Sequence, residues 1–268
     1  MTDNLNHMKT LTSKDGTQIA YDQRGSGPAV VLVDGALCSS AFGPLPALAK
    51  LLEPHFTVFN YDRRGRNESG DTKPYAPERE VEDLDAVIGA AGGSAFVAGV
   101  SSGAALALAG AAAGLSIKKM AMYEAPFFVD KTGHQPPKDS AGQLKKMIAE
   151  DRRSDAVKFF MRDMVNVPGF AVFIMSILPI FKKLKAVAHT LPYDAAVMGD
   201  FSLPVQKAGN VKAPTLVGYG GKSPASMQNA VKQTAAAIPG SELKMFPGQT
   251  HNISMKVLAP ALIEFFNK

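Results

Sequence analysis

Apolar residues recur along this chain in two rhythms. Ala29-Val30-Val31-Leu32-Val33 is an uninterrupted apolar run, the pattern of a strand buried on both faces. Thr17-Gln18-Ile19-Ala20-Tyr21-Asp22 alternates polar with apolar and predicts a strand covered on one face. Similar short segments predict strands at 56–61, 94–98, 118–123, 213–219 and 242–246. Helical spacing falls between them, over 42–52, 79–90, 104–109, 226–237 and 258–266. Strand and helix alternate, so the pattern predicts an α/β fold. Its sheet is mostly parallel and twisted, with helices on both faces.

The rhythm breaks after Pro126. Residues 127–203 show helical periodicity near 140–150, 154–165, 171–180 and 184–198, and no convincing strand. That is too long for a connecting loop. The expected organisation is an α/β core, residues 1–126 and 204–268, interrupted by a helical cap over 127–203. Internal repeats and low-complexity segments are absent from the sequence.

Composition narrows this picture. The 268 residues are 46% hydrophobic and 20% charged, the balance of an ordinary globular enzyme. The one cysteine, Cys38, excludes an intramolecular disulfide, and residues 1–8 show no basic or apolar leader. Together these point to a cytoplasmic setting. Cys38 follows a core strand, so it either borders a site there or packs as a small hydrophobe. The apolar run 169–181 contains Pro179 and is too short to span a bilayer. It is instead a candidate surface for a homodimer. Net charge is +5 but the basic residues are scattered, and Lys182-Lys183-Leu184-Lys185 reads as a solvated helix face. Neither membrane nor nucleic acid is an expected partner. The sequence holds no Cys/His set with metal-ligand spacing and no phosphate-cradling glycine motif, so no cofactor is expected.

The chemistry concentrates at Gly99-Val100-Ser101-Ser102-Gly103, a G-x-S-x-G pentapeptide between a predicted strand and a predicted helix. In that context the pentapeptide is a nucleophile elbow. The flanking glycines clear space, and the serine hydroxyl stands at the top of the sheet before a helix N-terminus. A serine needs a base and an orienting acid. Of the five histidines, His7 is in a tail, His55 precedes a strand, and His134 and His189 lie in the insertion. His251 alone follows the last core strand, after the serine in chain order. The acid is harder to place. Folds of this kind commonly carry it after the next-to-last strand, yet no Asp or Glu occurs over 201–241. Glu124, in Met122-Tyr123-Glu124-Ala125-Pro126, ends the strand after the elbow helix and is placed to orient His251. Asp200 is the alternative acid, and Glu124 also has a plain reading as a loop organiser. Oxyanion donors are expected from the N–H groups of Ser102 and of Gly35 or Ala36. Asp34 is expected to turn away from that hole and accept backbone hydrogen bonds.

These motifs resemble the α/β-hydrolase family over nearly the whole core. The matching segments are Val31-Leu32-Val33-Asp34-Gly35, Tyr61-Asp62-Arg63-Arg64-Gly65-Arg66-Asn67-Glu68-Ser69, Gly99-Val100-Ser101-Ser102-Gly103 and Gly248-Gln249-Thr250-His251. Within the family, the Ser-Ser-Gly elbow, the Asp-Gly loop and an acid at Glu124 look like the zearalenone-lactone hydrolases. The resemblance implies Ser101 as nucleophile, His251 as base and Glu124 as acid. The segment from Tyr61 to Ser69 then has a scaffolding role.

The expectation is a hydrolase of a hydrophobic carboxylic ester or lactone, acting through an acyl-enzyme. The insertion carries an apolar stripe of Phe159, Phe160, Met161, Met164, Phe170, Phe173, Ile174 and Met175, which either faces the elbow or packs the cap on itself. Candidate substrate contacts are Phe127, Phe128, Met161, Phe173 and Met175. Two other classes stay open: a ligand receptor on the same fold, and a lyase or acyltransferase using the same serine.

Overall fold

In the computed structural model, residues 8–130 and 133–268 are described; residues 1–7, with His7 and the leader reading, lie outside them. The chain enters through β1 (Met8–Thr12), paired antiparallel with β2 (Gln18–Arg24). β3 (Ala29–Val33), α1 (Leu45–Leu52), β4 (Thr57–Tyr61), α2 (Pro77–Ala90), β5 (Ala95–Val100), α3 (Ser102–Ala112) and β6 (Ile117–Tyr123) follow. The insertion holds α4 (Ser140–Ala149), α5 (Arg153–Phe159), α6 (Gly169–Ile177), α7 (Ile180–Ala186) and α8 (Leu191–Met198). The return passes α9 (Val205–Gly209), β7 (Thr215–Gly220), α10 (Ala225–Ala237), β8 (Glu242–Phe246) and α11 (Met255–Asn267).

The strands form one eight-stranded sheet in the order β1-β2-β4-β3-β5-β6-β7-β8. Only the β1–β2 and β2–β4 pairings are antiparallel. The α/β fold expected from the alternation is therefore present. Two cores cover its faces, as a sheet buried on both sides requires. One lies under α2, α3 and α10; the other lies under α1 and α11, where Phe56, Phe96 and Phe266 pack ring against ring. A third core sits within the insertion and takes in Leu37 from the loop after β3.

The insertion departs from its sequence reading at helix ends. The helix expected over 154–165 stops at Phe159 and continues as a π-helical turn, Phe160–Met164. Residues 184–198 do not form one helix. They split into the end of α7, a 3-10 turn Ala188–Thr190, and α8. Pro192 explains the break, because it lacks an N–H and sits in the first turn of α8, where none is needed. Among the described residues no helix is long and apolar enough to cross a membrane.

Candidate active site

Ser101 joins β5 to α3 with φ 56° and ψ −127°. This left-handed turn is held by its N–H bond to Tyr123 O at 2.9 Å. Two glycines make the turn possible. A Cβ on Gly103 would stand 2.2 Å from Val33 O, and one on Gly99 would stand 2.5 Å from Gly103 O. The residue type is therefore dictated by space at both positions.

β8 delivers His251 through the loop that follows it. Tyr123 Oη donates to Thr250 O at 2.6 Å, which ties this loop to the end of β6. A Cβ on Gly220 would meet Gln249 O at 2.5 Å, so the β7 end admits the loop only as glycine. Glu124, fully buried and at φ 45°, follows β6 directly. Its Oε2 lies 2.9 Å from His251 Nδ1. Its Oε1 accepts from Gly220 N at 2.8 Å and from Ser223 Oγ at 2.6 Å. The loop after β7, which carries no acid, instead supplies two donors to an acid from β6. Sequence reasoning missed Gly220 and Ser223. The clue was present in that same acid-free Gly220-Gly221-Lys222-Ser223 stretch. Asp200 is exposed on the far side of the insertion's return and binds its own loop, accepting from Ser202 N at 2.9 Å and Ser202 Oγ at 2.6 Å. It makes no hydrogen bond to His251.

Two amides face the elbow. Ser102 N–H begins α3 and has no acceptor within the described residues. Ala36 lines the cavity and its N–H is likewise free of a protein acceptor. Gly35 lies against Ser101, since a Cβ there would be 3.1 Å from Ser101 Cβ. Arginines take the carbonyls of the loop after β3: Arg66 Nη1 donates to Gly35 O, behind the Ala36 amide, at 2.5 Å, and Arg63 Nη1 to Asp34 O, behind the Gly35 amide, at 3.2 Å.

Those arginines belong to a buried charge cluster. Arg63 donates Nε and Nη2 to Glu80 at 2.5 and 2.8 Å, and Nη1 to Asp194 Oδ1 at 2.7 Å. Arg66 Nη2 reaches both Asp194 oxygens, at 2.9 and 2.8 Å. Ser102 Oγ donates to Asp194 Oδ1 at 2.7 Å. Burial alone would raise the Asp194 carboxyl; the Arg66 and Arg63 charges and the Ser102 bond overcome it and hold it below the usual carboxylate range. Sequence reasoning missed this cluster, whose partners lie 128 and 131 residues apart along the chain. Asp62, expected as scaffold, binds Ser40 N at 2.7 Å and Asn67 Nδ2 at 2.9 Å, which closes the turn after β4.

Asp34 differs from expectation. Instead of accepting backbone hydrogen bonds, its two carboxyl oxygens are buried without any hydrogen-bond partner. The two arginines beside it are already matched by Glu80 and Asp194. Desolvation therefore dominates and pushes the Asp34 carboxyl well above its ordinary range. Cys38 lies off the cavity against Gly43, where an added Cβ would come within 2.8 Å of Sγ, and burial pushes its thiol up to about 12.

Ser101, Ser102, Glu124 and His251 open on a cavity of about 590 Å³. Phe127, Phe128, Phe160, Met164, Val165, Met198, Phe201 and Met227 give it an apolar wall; Asp130, His134 and Asn166 add polar atoms. Phe127 and Phe128, two of the expected substrate contacts, line this wall. Met161, Phe173 and Met175 do not line it. Met161 and Met175 pack on the insertion's own core, and Phe173 is 66% exposed. Helical spacing told which residues share a face, not which neighbour that face meets. Phe159, Met161 and Met175 pack the insertion on itself, and of the stripe Phe160 and Met164 line the cavity.

Sheet order and serine turn are those of an α/β hydrolase. The model of the alpha/beta hydrolase family matches residues 17–260. An alpha/beta hydrolase from Sphaerobacter thermophilus DSM 20745 is 50% identical, with 96% of this chain and 100% of that one covered and a TM-score of 0.91. The chain belongs to the alpha/beta hydrolase family. A thermophilic esterase from Thermogutta terrifontis (18% identity, 98% of each chain, TM-score 0.69) shares the fold. So does the enol-lactonase from Burkholderia xenovorans LB400 (20% identity, 97% of this chain and 100% of that one, TM-score 0.70). No curated protein matches the sequence.

Proposed function

We propose that this hydrolase cleaves a hydrophobic carboxylic ester or lactone through a Ser101-His251-Glu124 triad. The observation that carries the reading is the His251 Nδ1–Glu124 contact of 2.9 Å, beside a serine at positive φ and at the floor of a largely apolar cavity. Ser101 Oγ attacks the carbonyl carbon while His251 Nε2 takes its proton. Glu124 holds the imidazole in the required tautomer and offsets the charge it gains. Its two further donors, Gly220 N–H and Ser223 Oγ–H, keep the carboxylate from rotating away. Ala36 and Ser102 N–H groups receive the oxyanion. His251 then returns the proton to the leaving alcohol, and water activated by the same imidazole releases the acid and frees Ser101. A lactone leaves as one hydroxy acid, since alcohol and acyl group are joined.

The insertion acts as a cap that shapes the apolar wall. An apolar pocket of this size favours a drug-sized hydrophobic substrate over a small polar one. A cytoplasmic setting fits the lone, half-buried thiol. The exposed apolar face of α6 is where a second copy would seat, and light scattering over a concentration series tests that.

The decisive experiment is labelling with a fluorophosphonate, read by intact mass, with Ser101→Ala as control. One adduct, lost in the variant, supports the triad and leads to an ester and lactone panel. No adduct on folded protein rejects it in favour of a ligand receptor.

A further inference from the structure

Asp194 is a carboxylate that the insertion inserts beneath the elbow, and its bonds lead to both oxyanion amides. It borders the cavity, yet its oxygens are fully engaged by Arg63, Arg66 and Ser102. Two routes run from it. Along the first, Arg66 bridges Asp194 to Gly35 O. In a trans peptide the C=O and the next N–H point in opposite directions. Whatever fixes Gly35 O therefore aims Ala36 N–H, and here it is aimed toward the cavity. A charged donor on the carbonyl also polarises the amide and strengthens its N–H as a donor. Arg63 does the same for the preceding peptide through Asp34 O. Along the second route, Asp194 takes the hydroxyl of Ser102, the residue whose N–H is the other donor.

We propose that Asp194 is a positioning residue through which the insertion sets the oxyanion hole. The inference rests on the reading of Ser101 as the nucleophile. It adds a dependency that the triad alone does not contain. With α8 seated, both amides are aimed; with α8 displaced, the arginines lose their carboxylate and the amides lose their alignment. Substrate binding in the ground state does not use these amides fully, so the effect falls on kcat rather than on KM.

The test compares Asp194→Asn with the wild type and with Glu80→Gln. Glu80 shares Arg63 but touches neither Ser102 nor Arg66, so it controls for general loss of a buried charge. On an ester the wild type turns over, Asp194→Asn is expected to lower kcat about 10²-fold with KM within about twofold, as for loss of an oxyanion donor. Affinity for a trifluoromethyl ketone, whose hemiketal oxyanion needs the same amides, should fall in parallel. The acid limb of the kcat/KM pH profile should not move, because the His251–Glu124 pair is untouched. Glu80→Gln should lower Tm but lower kcat far less than Asp194→Asn does. Equal kcat losses in the two variants, or an unchanged kcat in folded Asp194→Asn, overturn the proposal. If Asp194→Asn does not fold, Ser102→Ala carries the test. A kcat loss of about tenfold at constant KM supports the proposal and an unchanged kcat overturns it. A wild type that takes no phosphonate and turns over no ester defeats the nucleophile reading itself, a result distinct from all of these.

Discussion

Two carboxylates near the elbow illustrate how environment assigns a side chain its part. Glu124 is fully buried, yet each of its oxygens meets a donor. Glu124→Gln keeps the shape but presents an amide that cannot hold the imidazole as a carboxylate does. We expect kcat to fall roughly 10³-fold or more, by steady-state kinetics on any ester the wild type cleaves. Ser223→Ala removes one of the two fixing donors and should cost about tenfold in kcat and about 1 kcal/mol in stability. Asp34 is the opposite case, buried with no partner. Folding holds it protonated, whereas the unfolded chain ionises it in the usual range near pH 4. The wild type therefore loses stability as pH rises through that range. Asn does not titrate, so the Tm advantage of Asp34→Asn should grow between pH 4 and pH 8. It should reach on the order of 1 kcal/mol, about 2–4 °C by calorimetry. An advantage that shrinks with rising pH would contradict a neutral Asp34.

At the scale of elements, the glycine positions and the insertion decide what changes are tolerated. Gly103→Ala would press a methyl group into Val33 O and should disrupt the elbow, seen as loss of phosphonate labelling in soluble protein. Phe173→Ser should leave kcat/KM within about twofold, because that ring points to solvent, whereas Phe128→Ala opens the cavity wall and should raise KM for bulky esters. What was legible follows the same division. β3 could be bounded to the residue because five apolar positions in a row have one explanation in such a fold. β1, Met8-Lys9-Thr10-Leu11-Thr12, was missed because an exposed edge strand has little apolar signal. Ser101, His251 and Glu124 were findable from strand ends and chain order. The Asp194 cluster was not, because it depends on how the insertion folds back over the sheet, and no local pattern encodes that. The break at Pro192 was legible in principle, since a proline eight residues into a supposed helix marks a new first turn.

For the whole molecule, the insertion and the sheet are bound by charge as well as by apolar contact. Asp194 joins α8 to the turn after β4, and Tyr193 stacks on Tyr75 with ring centroids 3.8 Å apart. Tyr193 Oη also donates to Asp71 Oδ2 at 2.9 Å. Breaking one partner of a buried ion pair costs about 3–5 kcal/mol. Insertion and core should therefore unfold together, with near- and far-UV circular dichroism giving one coincident transition; two transitions would mean the insertion melts alone. The Asp194 carboxyl is held low, so its contribution is complete above the ordinary carboxylate range and is lost as pH falls toward its folded value. Acid should loosen this tie only below the range in which ordinary carboxylates take up their protons.

The half-buried Cys38 has a practical consequence. A thiol pushed up to about 12 offers little thiolate at neutral pH, so Cys38 should react slowly with thiol reagents, which mass spectrometry after maleimide treatment checks. Cysteines placed at Asn166 and Ser226, both at the cavity wall, would take spin or fluorescent labels without first deleting the native one. The distance between those labels would then follow, in solution and during turnover, whether the insertion moves relative to the sheet or holds its place.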